Sequence, residues 1–489
     1  MTEQHHHHVH KLVEQCKIVP ANSTATTRTA ATSCLPLTFL DLPLAGPIYV
    51  RRQFFYKFPH PTNHFYNSTL PSLKLSLSLT LRHFFPLAGN LISPPPPHNP
   101  FIRCSSVHDS VPFTIIESAA DFKHLSSNHP KSLNELNHLV PKLTPKTMND
   151  DGDVTTFIFP LLALQASVFP NRGLCISITY CHVMDGSCCS QFMKSWSSIC
   201  RTGGVDLNFH EPCFDREVLK DTKGLEGVFL RDYFEERSTW KDKIFAQTCD
   251  ESSDDDYVKA TVVFGREKIE GLKRWISGNS FKFKPPQQNL SKFVVACAFV
   301  WASLVKTRHR NNNNNNNDDD DDDKQEEEME EYFRFAADCR GDRLEYHVPE
   351  GYFGNCLSLC HATLKRVELL GEDGFVKAVK VIDRAVSDMK KEPLKDCEDW
   401  MALFRKMFVL GSVLLVTGSP KFSFYETDFG FGRPDKVEMV HSIRAMSLAE
   451  SGDDDDDEEG GLEFGLVFRK GEFECFASVI EQGLQTFKS

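Results

Sequence analysis

From Gly173 to Cys181 apolar and polar residues alternate, with Leu174, Ile176, Ile178 and Tyr180 on one side and Cys175, Ser177, Thr179 and Cys181 on the other. A period of two is the signature of a strand. Immediately downstream the period changes: Phe192, Trp196 and Ile199 recur at helical spacing, and Asp185 and Ser187 stand where a cap satisfies free backbone N–H groups. The intervening turn, Cys181-His182-Val183-Met184-Asp185-Gly186, therefore joins a strand to a helix. A rigid scaffold on both sides makes His182 the best candidate for a general base.

Elsewhere the patterning is less decisive. Leu73, Leu75, Leu77, Leu79 and Leu81 alternate as in a strand, yet Leu73, Leu77, Leu81, Phe84, Phe85 and Ala88 also fall at helical spacing. Periodicity alone does not arbitrate between them. Pro86 to Asn90 ends this element, and Pro94 to Pro97 reads as a stiff extended connector. Between Arg201 and Tyr257 the hydrophobic period fades into Gly203-Gly204, Glu211-Pro212 and charged residues, the best place for a crossover between domains. A second set of elements follows. A strand is expected from Val258 to Phe264, a helix from Glu267 to Trp275, and a helix carrying Phe293, Cys297, Val300, Trp301 and Leu304 on one face. Ser442 to Met446 and Phe464 to Phe468 read as extended, and Phe473 to Leu484 as a closing helix.

At 489 residues the chain is comfortable for two domains, and 40% hydrophobic with 25% charged residues is the composition of a soluble globular protein. The net charge of −13 is unevenly placed: Asp318 to Asp323, Glu326 to Glu328, Glu330, Glu331 and Asp453 to Glu459 hold 18 acids, without which the balance is +5. Such tracts bury no apolar surface and are expected to be disordered insertions, at about 309–331 and 450–460. The mildly basic remainder suits an anionic ligand but falls far short of a nucleic-acid footprint. The 16 cysteines are scattered through the expected strands and helices and no signal-peptide pattern precedes them, so reduced thiols in a cytoplasmic protein are expected. Asn22, Asn67 and Asn289 are then idle sequons. Cys188-Cys189 lie near His182 and Asp185 but lack paired C-x-x-C spacing, and no metal is expected. No apolar run reaches the ~18 to 20 residues of a membrane span. His5 to His8, His10 and the polar stretch from Ile18 to Thr32 read as a disordered leader, with order beginning near Leu35.

A second motif lies far downstream: Asp428-Phe429-Gly430-Phe431-Gly432, followed by Arg433-Pro434. Together with the His182 turn it resembles the His-x-x-x-Asp and Asp-Phe-Gly-Trp-Gly motifs of the plant BAHD acyl-CoA-dependent acyltransferases. A third, Tyr352-Phe353-Gly354-Asn355-Cys356, resembles the signature of the branch that acylates anthocyanins and other phenolic glycosides, often with malonyl groups. The resemblance runs from about Leu35 to the C-terminus. Two positions depart from it. Two residues separate His182 from Asp185 where the family has three, so alignment on Asp185 and Gly186 puts Cys181 in the place of the His. His182 is favoured, because a loop absorbs a deletion and a Cys is a poor base. Phe431 replaces Trp, keeping an aromatic ring and losing an indole N–H.

The resemblance implies an α/β fold of two similar chloramphenicol-acetyltransferase-like domains, each a mixed sheet flanked by helices, with an interdomain channel. The divisions expected are a leader over 1–34, an N-terminal domain over 35–212, a crossover over 213–256 and a C-terminal domain over 257–489 that contains the Asp428 motif. On the same ground the Leu73 to Leu81 segment becomes a helix. His182 is then the general base that takes a proton from a sugar hydroxyl as it attacks an acyl-CoA thioester, without a covalent acyl-enzyme. Asp185 is implied to orient the turn and pair with an Arg, for which Arg340 is the first candidate and Arg343 the second. Gly186 belongs to the turn, and Asp428, Gly430 and Gly432 are implied to be structural. Acyl-CoA is a co-substrate with no resident cofactor, malonyl being the first donor and hydroxycinnamoyl the second, and the acceptor is a phenolic or flavonoid glycoside. A cytoplasmic monomer without nucleic-acid or membrane partners is expected. A silent relative that binds without turnover, and hydrolysis through Cys181 or Cys356, are the alternatives.

Overall fold

The structure, a computed structural model, describes residues 9–21, 32–105, 109–150, 154–204, 211–242, 256–278, 290–315, 329–410, 412–441, 444–452 and 460–486. The tracts Asp318 to Glu328 and Asp453 to Glu459, and His5 to His8, lie outside them. The chain divides into two units: Met1–Asp254 with His347–Cys356 and Phe422–Val440, and Asp255–Tyr346 with Leu357–Lys421 and His441–Ser489. The motif segment 428–432, expected in the C-terminal domain, thus belongs to the first unit, and so does the crossover expected over 213–256 as far as Asp254.

The first unit is built on a mixed sheet. Its strands include β1 (His10–Ile18), β2 (Tyr49–Lys57), β3 (Val111–Ser118), β4 (Leu162–Phe169) and β5 (Gly173–Cys181). They run in the order β1-β3-β4-β5-β2, with Lys436–Val440 on the far side of β2. The β3–β4 pair is parallel and the rest are antiparallel. β1 corrects the expectation of an unstructured leader over 1–34. It is polar because it is an edge strand, held by its ladder from His10 opposite Ser118 to Ile18 opposite Val111, and by the Lys74–Glu14 ion pair at 2.6 Å, more than by burial. Thr32–Pro36, at the expected leader's end, joins a separate antiparallel five-stranded sheet with Phe101–Ser105, Asn90–Ser93, Val154–Pro160 and Lys146–Asp150.

Every residue of β5 is buried, including its polar side. That side is covered by the segment around Leu133–Asn137, which supplies acceptors: Thr179 Oγ1 donates to Pro141 O at 2.6 Å and Gln53 Nε2 to Leu136 O at 2.7 Å. The ambiguous leucines form helix α1 (Leu70–His83), with Leu73, Leu77 and Leu81 fully buried and Leu75 64% exposed, the pattern of a helix. α1 packs on α2 (Gly186–Thr202), where the buried Trp196 indole donates to Leu73 O at 3.2 Å and Ser76 Oγ at 3.1 Å. In the former crossover, α3 (Leu225–Arg237) buries Phe229 and Tyr233, and Trp240 packs edge-on to Phe157 and Phe159. The hydrophobic period there is faint because one turn of apolar anchors suffices.

The second unit has its own mixed sheet: β6 (Tyr257–Phe264), β7 (Glu330–Asp338), β8 (Leu357–Lys365), β9 (Val413–Thr417), β10 (Ala445–Glu450) and β11 (Leu462–Arg469), in the order β8-β7-β9-β10-β11-β6. Pairs β7–β9 and β9–β10 are parallel. Helices α4 (Arg266–Gly278), α5 (Lys292–Asn315), α6 (Gly374–Lys391) and α7 (Glu472–Thr486) share its core, in which Val295, Trp301, Phe333, Val379 and Phe464 are buried. The insertion expected over about 309–331 is shorter than the sequence suggests, since α5 runs to Asn315 and β7 starts at Glu330. Glu331 is 2% exposed and accepts from Arg366 Nε at 2.8 Å, an ion pair that a charge count cannot reveal. The tract at about 450–460 connects β10 to β11, which are antiparallel neighbours. No described helix is long and apolar enough to cross a membrane.

Candidate active site

Strand pairing carries past the end of β5. Cys181 lies opposite Tyr49, and the next amide, His182 N–H, donates to Ile48 O at 2.9 Å. The ladder fixes the faces: His182 follows Tyr180 and Ile178, while Cys181 follows Thr179 and Ser177. The chain then tightens, with Val183 N–H donating to Cys181 O at 2.7 Å. Asp185 caps α2 by accepting from Cys188 N–H at 3.1 Å, and its second oxygen accepts from Cys356 N–H at 3.2 Å. Asp185, 1% exposed, therefore ties the turn to the Tyr352-to-Cys356 segment. Gly186 gives the Phe422 ring room, because a Cβ there would come within 2.4 Å of the edge of that ring.

His182 is half-buried, and its Nδ1 lies 3.1 Å from Asn355 Oδ1. The orientation of the Asn355 amide is set by its other bonds: Nδ2 donates to His182 O at 2.9 Å and to Asp41 Oδ1 at 3.3 Å. Oδ1 is thus left facing the ring as an acceptor, so Nδ1 carries the proton and Nε2 keeps its lone pair. Asp41 is itself held, its Oδ1 by Asn355 N–H at 2.8 Å and its Oδ2 by Thr38 N–H and Oγ1, both at 2.9 Å. Burial pushes the His182 pKa below the ordinary imidazole value, against the opposing pull of Asp185, Asn355 and Asp41. The imidazole is neutral at neutral pH, with one nitrogen free to take a proton.

The candidate thiols are in a different condition. Cys181 is fully buried, donates to Gly46 O at 3.4 Å and has its pKa pushed up to about 12 by burial. Cys188 lies at the motif backbone, donating to Tyr352 O at 3.3 Å and accepting from Gly354 N–H at 3.4 Å. Cys356 is fully buried. Among the described residues no cluster of three or more His, Cys, Asp or Glu is arranged to hold a metal ion.

Residues 428–432 form a self-bonded loop. Asp428 Oδ1 accepts from Gly430 N–H at 2.8 Å and Gly432 N–H at 2.9 Å, and both glycines have φ near +100°. Phe429 sits edge-on to Trp196 at 4.8 Å, and Phe431 edge-on to Tyr56 at 5.0 Å and Phe58 at 5.7 Å. The loop's aromatics therefore brace β2 and α2. On the Tyr352-to-Cys356 segment, Arg216 Nη1 donates to Tyr352 Oη at 2.7 Å. Arg340 belongs to the second unit, where its buried guanidinium meets Asp338 at 2.9 Å, and Arg343 is exposed there.

The structure brings together His182, Asp185, Asn355 and Asp41, the last two of which sequence reasoning had not assigned to the site. Asn355 was in view within a motif. Asp41 was legible only as a lone acid in the apolar run Leu37-Thr38-Phe39-Leu40-Asp41-Leu42.

The two α/β units, each a mixed sheet with helices, are of the chloramphenicol-acetyltransferase type. Among solved structures the chain resembles vinorine synthase, with a TM-score of 0.64 at 19% identity over 95% of this chain and 96% of that one. It is 33% identical over 492 residues to coumaroyl-CoA:anthocyanidin 3-O-glucoside-6''-O-coumaroyltransferase 1 of Arabidopsis thaliana, covering 98% of each chain. It is 32% identical over 493 residues to malonyl-coenzyme A:anthocyanin 3-O-glucoside-6''-O-malonyltransferase of Dahlia pinnata, covering 97% of each. A family model described as the Transferase family matches residues 12–482. The chain belongs to this family, the BAHD acyltransferases.

Proposed function

We propose that this protein transfers an acyl group from a coenzyme A thioester to a sugar hydroxyl of a phenolic or flavonoid glycoside, with His182 as general base. The observation that carries the reading is the hydrogen bond from His182 Nδ1 to Asn355 Oδ1, which leaves Nε2 as the acceptor of a proton. Relatives named for anthocyanidin, anthocyanin and phenolic glucosides support the acceptor class. As the hydroxyl oxygen bonds to the thioester carbonyl carbon, its proton passes to Nε2. The tetrahedral intermediate then breaks its C–S bond, and the imidazolium returns the proton to the departing CoA sulfur. Proton transfer of this kind contributes about 10²–10⁴-fold. Acyl-CoA is a co-substrate, so no resident cofactor takes part in the sequence of bonds. Asp185 holds the turn in place, and Asp428, Gly430 and Gly432 hold the bracing loop.

The test is release of CoA thiol from malonyl-CoA and from p-coumaroyl-CoA, with and without a panel of flavonoid and simple phenolic glucosides, for the natural chain and His182→Ala. Release that requires the acceptor and collapses in the variant is expected. Acyl-CoA binding without release from either donor would instead mark a silent binder.

A further inference from the structure

Relatives named for aromatic and for malonyl donors stand at nearly equal identity, so the donor has to be read from the chemistry beside His182. Arg52, on β2 between Ile178 of β5 and Met439, is 4% exposed. Its Nη2 meets only the Met439 sulfur, at 3.8 Å, and its guanidinium carbon lies 3.9 Å above the Phe424 ring. Nε is buried without a partner. Among the described residues no carbonyl or carboxylate accepts a hydrogen bond from this guanidinium. The contrast with Lys131, a fully buried cation of the same unit, is direct: its ammonium donates to Leu125 O at 3.0 Å, Ser127 O at 2.7 Å and Glu438 at 3.2 Å. A buried charge lacking an anion is costly, and a site that retains one has a use for it.

Position supplies the use. Arg52 is the direct neighbour of Ile178, and strand alternation puts Ile178, Tyr180 and His182 on one face. Four strand residues, ~13 Å, separate the Arg52 and His182 levels, a gap that two side chains reaching along the face and a short acyl chain can span. Burial dominates the raised pKa values of Tyr180 and Cys189, and the Arg52 charge acts against it at both. Tyr180 shares the face of Ile178 and His182, and Cys189 stands in the first turn of α2, where its N–H donates to Asp185 O at 3.0 Å. Phe424, beneath the guanidinium, is edge-on to Phe422, whose ring abuts Gly186 in the turn.

Resting on the acyl-transfer reading above, we propose that Arg52 receives the free carboxylate of a dicarboxylic acyl donor of malonyl type while the thioester carbonyl faces His182. A guanidinium presents paired N–H donors that match a carboxylate's two oxygens, and the apolar surroundings strengthen the pair. Acetyl and hydroxycinnamoyl groups offer no such anion.

The experiment compares malonyl-CoA with acetyl-CoA, which differ by the carboxylate, in the natural chain, Arg52→Met and Arg52→Lys, with melting temperatures to identify folded variants. The ratio of kcat/KM for malonyl-CoA over acetyl-CoA is expected to fall at least ~30-fold in Arg52→Met, the loss typical when one partner of a buried charge pair is removed. Arg52→Lys should recover part of it. An unchanged ratio in folded Arg52→Met overturns the assignment, as does transfer of p-coumaroyl but not malonyl groups by the natural chain, which leaves the acyltransferase reading intact. A chain that turns over no acyl-CoA overturns both.

Discussion

Asn355→Ala removes three hydrogen bonds at once: the one that pins the His182 ring at 3.1 Å and those to His182 O at 2.9 Å and Asp41 at 3.3 Å. The backbone N–H of residue 355 still reaches Asp41 at 2.8 Å, so the carboxylate keeps its main donor and the fold should survive. The lost side-chain bonds, with His182 O left buried, should cost about 1–3 kcal/mol of stability. The larger effect is on the rate. Nε2 is no longer held as the free nitrogen and the ring is free to turn, and misplacement of a reacting group on the scale of 1 Å costs about 10²-fold. A fall in kcat of about 10- to 100-fold is expected, with KM for the acceptor changing less. The pH profile supplies a test of sign. Burial holds the His182 pKa down while the Asn355 bond raises it, so the natural chain should lose activity only as pH falls below the ordinary imidazole range, and Asn355→Ala should carry that limb lower still. Asn355→Asp should move it the other way, since a second carboxylate favours the imidazolium, and should be the less stable variant because it faces Asp41. A kcat within about twofold of the natural value, or an acid limb that rises in Asn355→Ala, would refute the assignment of Asn355 as the residue that sets the tautomer.

Three further outcomes follow from the same geometry. Cys181→Ala should leave kcat within a few-fold of the natural value in a CoA-release assay, because the thiol is fully buried on the opposite face and its pKa is held near 12 by burial; a loss as large as that of His182→Ala would point to Cys181 instead. Gly186→Ala should lower the thermal midpoint, since the new Cβ meets the Phe422 ring at 2.4 Å and relieving such a clash costs about 1–3 kcal/mol; an unchanged midpoint would mean that the ring swings aside freely. Asp428→Ala should release the Gly430 and Gly432 amides and destabilise the first unit by roughly 1–2 kcal/mol while leaving the pH profile in place, and a shifted acid limb would contradict its structural role.

What the sequence disclosed depended on where local pattern and tertiary environment agree. β5 and α2 were legible because the period changes from two to helical across a single capped turn, and the structure places the cap on Asp185. The leucines of α1 carried both periods, and burial of Leu73, Leu77 and Leu81 against an exposed Leu75 decided for the helix. β1 was hidden because an edge strand can be polar. Glu331 was hidden because its partner Arg366 lies 35 residues away. The site divided in the same way: His182 and Asp185 are neighbours in sequence, whereas Asn355 and Asp41 lie 173 and 141 residues from His182. Distant pairing of that kind leaves no local pattern beyond a motif or a lone acid in an apolar run.

The shortened spacing between His182 and Asp185 can be understood from the same ladder. A residue missing before the end of β5 would reverse the face of whatever side chain ends the strand and bring Cys181 into the place of the base. The pairing through Cys181 opposite Tyr49 and on to His182 N–H with Ile48 O is continuous, as the proposed assignment of His182, with the turn shortened after it, requires. The remaining link to the helix is Val183 and Met184, both fully buried, with the tight bond from Val183 N–H to Cys181 O taking up the lost length. Asp185 still reaches both the Cys188 and the Cys356 amides, so the cap and the tie to the Asn355 segment survive a turn one residue shorter. His182 is placed by the sheet and its ring by Asn355, and neither support passes through Val183 or Met184.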